Sequence, residues 1–254
     1  MNKFVFSEEI FMTFAEILDR GIIGDLLYDT TMPTATQAVW LAIAAILCIA
    51  IPYFLGSINF AILLSKAIYK TDIRDFGSGN AGATNMMRTF GKKTALMTFG
   101  GDALKAFVSG ALGYLLLGQY GAHIAGLFCV IGHMFPIYYK FKGGKGVVTT
   151  AVSMLMCNPF VFLILLVIFV IIVGFTKYIS LGSIMCALLY PVILDRVEKF
   201  FNGSTQPYVI IPMIIAALVV FMHRENIKRL MSGTESKFSF KKSVDPNQNK
   251  NESK

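Results

Sequence analysis

Apolar residues in this chain come in long unbroken runs, and the loops between them are short and crowded with glycine, asparagine and lysine. The first run covers about 38–69 and the second about 94–117; Gly118 to Gly121 then makes a tight turn into a third at about 122–139. Two shorter runs follow at 147–157 and 159–175, and the last two lie at 181–194 and 208–222. Continuous apolar runs of this length predict helices, not strands. The run at 147–157 is too short to cross a bilayer: at 1.5 Å per residue it reaches about 17 Å, against a hydrocarbon core of about 30 Å. It predicts a half-helix broken at Asn158-Pro159, and irregular backbone at that depth must be covered by protein or line a wet cavity. The pattern therefore predicts an all-α, polytopic integral membrane protein with seven transmembrane segments, at least one of them a short half-helix.

Composition agrees. Of 254 residues, 55% are hydrophobic and 15% charged, and the mean hydropathy is +0.63; a soluble domain carries about a quarter of its residues charged. A disordered chain, a collagen-like fibre and a disulfide scaffold are excluded. Cys48, Cys129, Cys157 and Cys186 each lie inside an apolar run with no ligand-spaced partner, and read as small buried hydrophobes. The net charge is +8, but its placement matters more. With the amino terminus outside and the carboxyl terminus cytoplasmic, 18 Lys and Arg residues fall inside and 4 outside (Lys3, Arg20, Arg196 and Lys199), with Lys105 left in a span. The positive-inside rule selects that orientation.

Residues 1–37 form an acidic extension without the basic start of a signal peptide. It reads as a short amphipathic helical segment ending at the Met32-Pro33 turn. Residues 38–236 hold the spans, and 237–254 are a polar, Lys-rich cytoplasmic tail expected to be disordered near anionic headgroups.

In this orientation the unusual residues gather on the cytoplasmic face. The stretch from Asp72 to Arg88 contains Gly77, Ser78, Gly79, Asn80, Gly82, Thr84 and Asn85. Glycines let successive amides converge on an anion, hydroxyls and amides add neutral hydrogen bonds, and arginine adds a bidentate phosphate fork. Gly77, Gly79 and Gly82 also satisfy GxGxxG, with Asp102 twenty residues on. No strand precedes them and Asp102 lies on an apolar span, so a dinucleotide fold is rejected. A second stretch brackets Lys145 with Gly143, Gly144 and Gly146 just ahead of the half-helix, whose N-terminus favours an anion. A third has His223 and Asn226 on one helix face at the membrane boundary, followed by Arg229, Gly233 and Glu235. His123 and His133 read as structural. Asp102 and Lys105, three apart on one span, pair or serve the site. Ser180 and Ser183 follow Lys177 and cap a helix or bind phosphate.

Missing motifs narrow the chemistry. No HxxxxD follows a histidine, no GxSxG surrounds a serine, and carboxylates are too few for a paired-Asp metal site. An organic-phosphate transporter or channel could use the same basic loops, but it needs polar groups near the midplane and internal repeats, and neither is evident.

Together these stretches resemble a known family. Gly56-Ser57, Asp72-Ile-Arg74, Gly77 through Asn85 and Arg88 are similar to its first motif. Gly132-His133 with Pro136, and Gly143-Gly-Lys-Gly-Val147 with Thr149, resemble its second; Tyr178-Ile-Ser180-Leu-Gly-Ser183 is a further signature. His223 through Leu230 with Gly233 and Glu235 resemble its third. The family is the bacterial membrane glycerol-3-phosphate acyltransferase of the PlsY type, which uses acyl phosphate. The chain departs from it at Asn59, Ala106 and Val148, where Pro, Gly and Ala are usual.

The resemblance implies acyl transfer from acyl phosphate to the 1-hydroxyl of glycerol 3-phosphate, giving lysophosphatidate and inorganic phosphate. It implies no metal or cofactor and no nucleic acid, and a monomer among membrane lipids of the bacterial plasma membrane with its site on the cytoplasmic face. Ser78, Arg88, Lys145, His223 and Asn226 are the expected catalytic residues. The acyl-phosphate head is expected on the 77–80 amides, Ser78, Lys145 and Ser180, and glycerol 3-phosphate near Asn85, Arg88, His223 and Asn226. Gly77, Gly79, Asn80, Thr84, Gly143, Gly144, Gly146 and Arg229 complete the expected binding set.

Overall fold

A computed structural model describes residues 20–27 and 33–238; most of the acidic extension, and the tail from Ser239 on, lie outside the described residues. Every regular element among them is helical. A short α1 (Ile22–Leu27) precedes α2 (Thr34–Ser57) and α3 (Phe60–Tyr69). After the glycine-rich loop come α4 (Ala83–Phe90) and the long α5 (Lys92–Met134). Then follow α6 (Val147–Cys157), α7 (Pro159–Thr176), α8 (Ile179–Asn202), α9 (Ile210–Met222) and α10 (Arg224–Met231).

The centre of the fold is α5, against which α1, α2, α3, α4, α6 and α9 all pack. It is a hairpin. Leu117 and Gly118 leave the helical region, with φ of 55° at Gly118, and the chain doubles back. The arms touch through glycine: a Cβ on Gly113 would stand 2.2 Å from the Gly121 carbonyl oxygen. The second arm meets α2 in the same way, Gly56 against the Cys129 carbonyl and Gly132 against that of Tyr53. Small residues allow this backbone approach where lipid gives helices no hydrophobic reason to associate. The expected turn at 118–121 is therefore present. So is the half-helix, which ends at Asn158, whose side chain accepts from the Val161 amide and starts α7.

One expectation needs correction. The run at 38–69 is not a single helix. It breaks at Ser57–Asn59, where Ile58 is extended and Asn59 caps α3 by accepting from the Ile62 amide at 3.1 Å. The break frees carbonyls at membrane depth, and Lys105 Nζ satisfies two of them, Gly56 O at 3.0 Å and Ile58 O at 2.7 Å.

Among the described residues, four helical stretches can cross a membrane by length and composition, or five if the bent pair Pro207–Met222 and Arg224–Met231 counts as one. The expected seven segments exceed this because they count both arms of α5 separately and include the half-helix. Burial is inverted relative to a water-soluble protein. Leu163, Val167, Val170 and Ile171 of α7 are more than half exposed, while Asn59, Asp102, Lys105, His123 and His133 are buried. An apolar core of Val130, Met134, Met154, Val161, Leu165, Tyr190 and Leu194 joins the second arm of α5 to α6, α7 and α8.

Candidate active site

Three helices begin at one place. Ala83 and Thr84 of α4, Val147 and Val148 of α6, and Ile179 and Ser180 of α8 all line a single cavity of about 470 Å³. The first N–H groups of a helix have no partner within it, and each N-terminus carries about half a positive charge. The cavity is thus lined with backbone donors before any side chain is counted. Arg88, Lys145 and Arg229 add cations to the same wall.

The glycine-rich loop is built around Asn85. Its Oδ1 accepts the Ser78 amide at 3.0 Å, and its Nδ2 donates to the carbonyls of Phe76 and Ile73 at 2.9 and 3.2 Å. Gly77, at φ 57°, is required here, because a Cβ would stand 2.4 Å from Asn85 Oδ1. The Gly79 and Gly82 amides are likewise spent, on the carbonyls of Phe76 and Asn80. Of the 77–80 amides expected to cradle an anion, those of Ser78 and Gly79 fold the loop instead. Asn59 Nδ2 ties the loop to α3 through the Ala81 carbonyl at 3.2 Å; proline, usual in the family there, has no such donor.

Lys145 reaches across to Asn226, donating to its Oδ1. The Asn226 amide donates in turn to Glu235 Oε1 at 2.6 Å. Glu235 also accepts from Ser180 Oγ at 2.7 Å and from Arg229 Nε at 2.8 Å. Burial works against the carboxylate's charge, but these three donors outweigh it and hold the Glu235 pKa low. Lys145 is moved the other way: burial, then the charges of Arg229 and Arg88, push its pKa down to about 8 despite the nearby carboxylate. Arg88 donates to the Ser236 carbonyl at 3.4 Å, so residues 235–236 pass close to all three cations. His223 is buried and donates Nδ1–H to the Val219 carbonyl at 2.8 Å. A carbonyl can only accept, so in the neutral ring Nε2 is left as an acceptor.

The innermost wall is ionic. Lys105 Nζ lies 2.8 Å from Asp102 Oδ1 and 2.9 Å from His133 Nδ1, with all three side chains buried. Asp102 and His133 face the cavity. The first, read as pairing or serving the site, pairs with Lys105 and lines the wall. The second, read as structural, also lines the wall. The hairpin is the missing signal, since Lys105 and His133 are nearly equidistant in sequence from its turn.

The glycines before Lys145 behave differently from expectation. Gly143 and Gly144 do not line the cavity. Their amides donate to the Met134 and His133 carbonyls at 3.1 Å, closing off the end of α5. A Cβ at Gly144 would stand 2.3 Å from His133 Nε2 and 2.5 Å from the Ala81 carbonyl. Just upstream, Lys140 and Phe141 both take left-handed backbone, with φ of 56° and 58°. That region costs a residue with a side chain about 1–2 kcal/mol, and here two in succession occupy it.

Of the expected residues, Gly77, Ser78, Asn80, Thr84, Asn85, Arg88, Lys145, Gly146, Ser180, His223, Asn226 and Arg229 line the cavity. Gly79, Gly143 and Gly144 do not. Ser183, Glu235, Ser236 and Phe238 join them.

A family model described as glycerol-3-phosphate acyltransferase matches residues 46–233. The glycerol-3-phosphate acyltransferase of Thermoanaerobacter pseudethanolicus is 44% identical over 200 residues, covering 79% of this chain and 98% of that protein. That of Finegoldia magna is 43% identical over 202 residues, covering 78% and 96%. A crystal structure of PlsY (YgiH), an integral membrane glycerol 3-phosphate acyltransferase, in its glycerol 3-phosphate form, has a TM-score of 0.70 at 34% identity over 77% of this chain and 96% of that one. Its lysophosphatidic acid form gives 0.67 at 33%. The family model runs from the middle of α2 to Gly233, just past the end of α10, and the chain belongs to the glycerol-3-phosphate acyltransferase family.

Proposed function

We propose that this protein transfers a fatty acyl group from acyl phosphate to the 1-hydroxyl of glycerol 3-phosphate. The observation that supports it is the meeting of three helix N-termini and three cations on one cavity, at the end of a bundle whose outer faces are apolar. Two phosphate groups can be held there while a lipid chain stays among the helices. Acyl phosphate is a mixed anhydride, already activated, so the protein's task is to position two anions and neutralise charge.

In this reading the acyl-phosphate head lies against Ser78, Lys145, Ser180 and the α4 and α6 amides. Arg88 and Arg229 hold the glycerol 3-phosphate. Asn226 acts by positioning Lys145, since both of its polar atoms are engaged by protein. His223 Nε2 accepts the hydrogen bond of the attacking hydroxyl. The hydroxyl oxygen bonds to the acyl carbon, the bond from that carbon to the phosphate oxygen breaks, and the proton passes by way of His223 to the departing phosphate. The products are lysophosphatidate and inorganic phosphate.

The same reading sets the protein in the bacterial plasma membrane as a monomer, its chain forming seven segments with the amino terminus outside and the cavity on the cytoplasmic face. The test is phosphate release from a long-chain acyl phosphate by purified protein, with and without glycerol 3-phosphate. The expected result is release that requires glycerol 3-phosphate, with lysophosphatidate formed in equal amount. Intact acyl phosphate in the presence of folded protein would overturn the reading.

A further inference from the structure

The Asp72-Ile-Arg74 stretch belongs to the first motif, yet neither charged side chain lines the cavity. Arg74 instead grips Asp72 with one edge of its guanidinium, Nε to Oδ1 at 2.9 Å and a terminal nitrogen to Oδ2 at 2.8 Å. Lys66 adds a second cation to Asp72 at 3.2 Å. Burial pulls the Asp72 carboxyl upward, but the bonds from Arg74 and Lys66 outweigh it and hold its pKa at about 2, so the grip persists at any working pH. The remaining terminal nitrogen of Arg74 donates to two carbonyls, Tyr139 O at 3.3 Å and Lys142 O at 3.0 Å.

Those two carbonyls flank Lys140 and Phe141, the consecutive residues in left-handed backbone. Such a conformation persists only where its surroundings impose it. The Lys142 carbonyl leads directly into Gly143 and Gly144, whose amides are pinned to the end of α5, and then to Lys145. Between the guanidinium and the cavity lysine there is only a short length of fixed backbone.

We propose that Arg74 is a positioning residue for Lys145: by clamping the carbonyls of Tyr139 and Lys142 it holds the 140–141 turn left-handed and so sets where Lys145 enters the cavity. The inference rests on reading Lys145 as a phosphate ligand.

The test compares the parent protein, Arg74→Ala and Arg74→Ala/Phe141→Gly in the acyl-transfer assay, with thermal unfolding in detergent as the control for folding. Arg74→Ala is expected to lower kcat/KM about 30-fold, with the KM for acyl phosphate raised, as follows when a binding group is misplaced by about 1 Å. Phe141→Gly is expected to restore about tenfold of that loss, because glycine takes positive φ without steric cost. An unchanged kcat/KM in Arg74→Ala, or a loss that Phe141→Gly leaves in place, overturns the proposal. If Arg74→Ala does not fold, Arg74→Lys, which keeps the ion pair with Asp72, is read by the same criteria. Labelling of Lys145 by an amine-reactive ester, followed by peptide mass spectrometry, reads its placement without turnover. It is expected to rise at least about threefold in Arg74→Ala, as a group leaving a half-buried contact gains access, and to fall back in the double variant; unchanged labelling overturns the proposal. A parent protein that turns over nothing refutes the acyltransferase reading alone, and the labelling still decides the clamp.

Discussion

Lys145 is drawn out of solvent and flanked by Arg88 and Arg229, so its ammonium gives up a proton more easily than a free lysine, at about pH 8. In the proposed reading the cation is the form that binds phosphate, so binding is strongest well below about pH 8 and fades as pH rises through it. The expected result is a kcat/KM that falls above about pH 8, and in Lys145→Arg an alkaline limb displaced upward by at least about one unit, because guanidinium stays charged. An alkaline limb that stays put in Lys145→Arg would assign it to another group. At this scale residue types were legible and their assignments were not. Ser78, Arg88, Lys145 and His223 stand out because glycine and hydroxyl density beside a membrane has few other uses. Asn85 looked like a ligand, but its three hydrogen bonds all go to its own loop. Gly143 and Gly144 looked like an anion cradle, but their amides close the end of a helix. Local sequence shows which donors exist; how many the backbone consumes is decided by the folded loop.

The long helices, the hairpin turn and the half-helix could all be read from apolar run lengths and from Gly118, Asn158 and Pro159, because these are local properties. The break after α2 could not. Its run is apolar on both sides, and what stabilises the freed carbonyls is Lys105, nearly fifty residues later. That ammonium also pairs with Asp102. Lys105→Met leaves a buried carboxylate without its cation and two carbonyls without a donor, so it is expected to destabilise the protein by about 3–5 kcal/mol. Asp102→Leu in the same chain removes the stranded charge and is expected to recover part of the loss. The measurement is thermal unfolding in detergent of the parent, the single variant and the pair; a double variant no more stable than Lys105→Met would show that the carbonyls, not the ion pair, set the cost.

For the whole molecule, orientation rests on the distribution of Lys and Arg, a property of the full chain that no single loop reveals. The four native cysteines are buried, so exposed positions can be tagged against a quiet background. Ser204, between α8 and α9, and Lys93, at the start of α5, are both exposed. Ser204→Cys is expected to react with a membrane-impermeant maleimide on intact cells, and Lys93→Cys only after permeabilisation; the reverse pattern would invert the topology. The ionic cluster of Asp102, Lys105 and His133 bears on how such a chain reaches the bilayer at all. A lone charge at the centre of an inserting helix costs about 2.5–3.5 kcal/mol. Asp102 and Lys105 are three residues apart on one helical arm and within 2.8 Å of each other, so the first arm can leave the insertion machinery already neutralised as a dipole. His133 arrives only when the second arm folds back, and Gly56 and Ile58 were made earlier. The cluster is thus completed by segments synthesised before and after the first arm, and a nascent chain that ends before the second arm would hold the Asp102–Lys105 pair in lipid without His133, a difference that sets incomplete copies apart from finished ones.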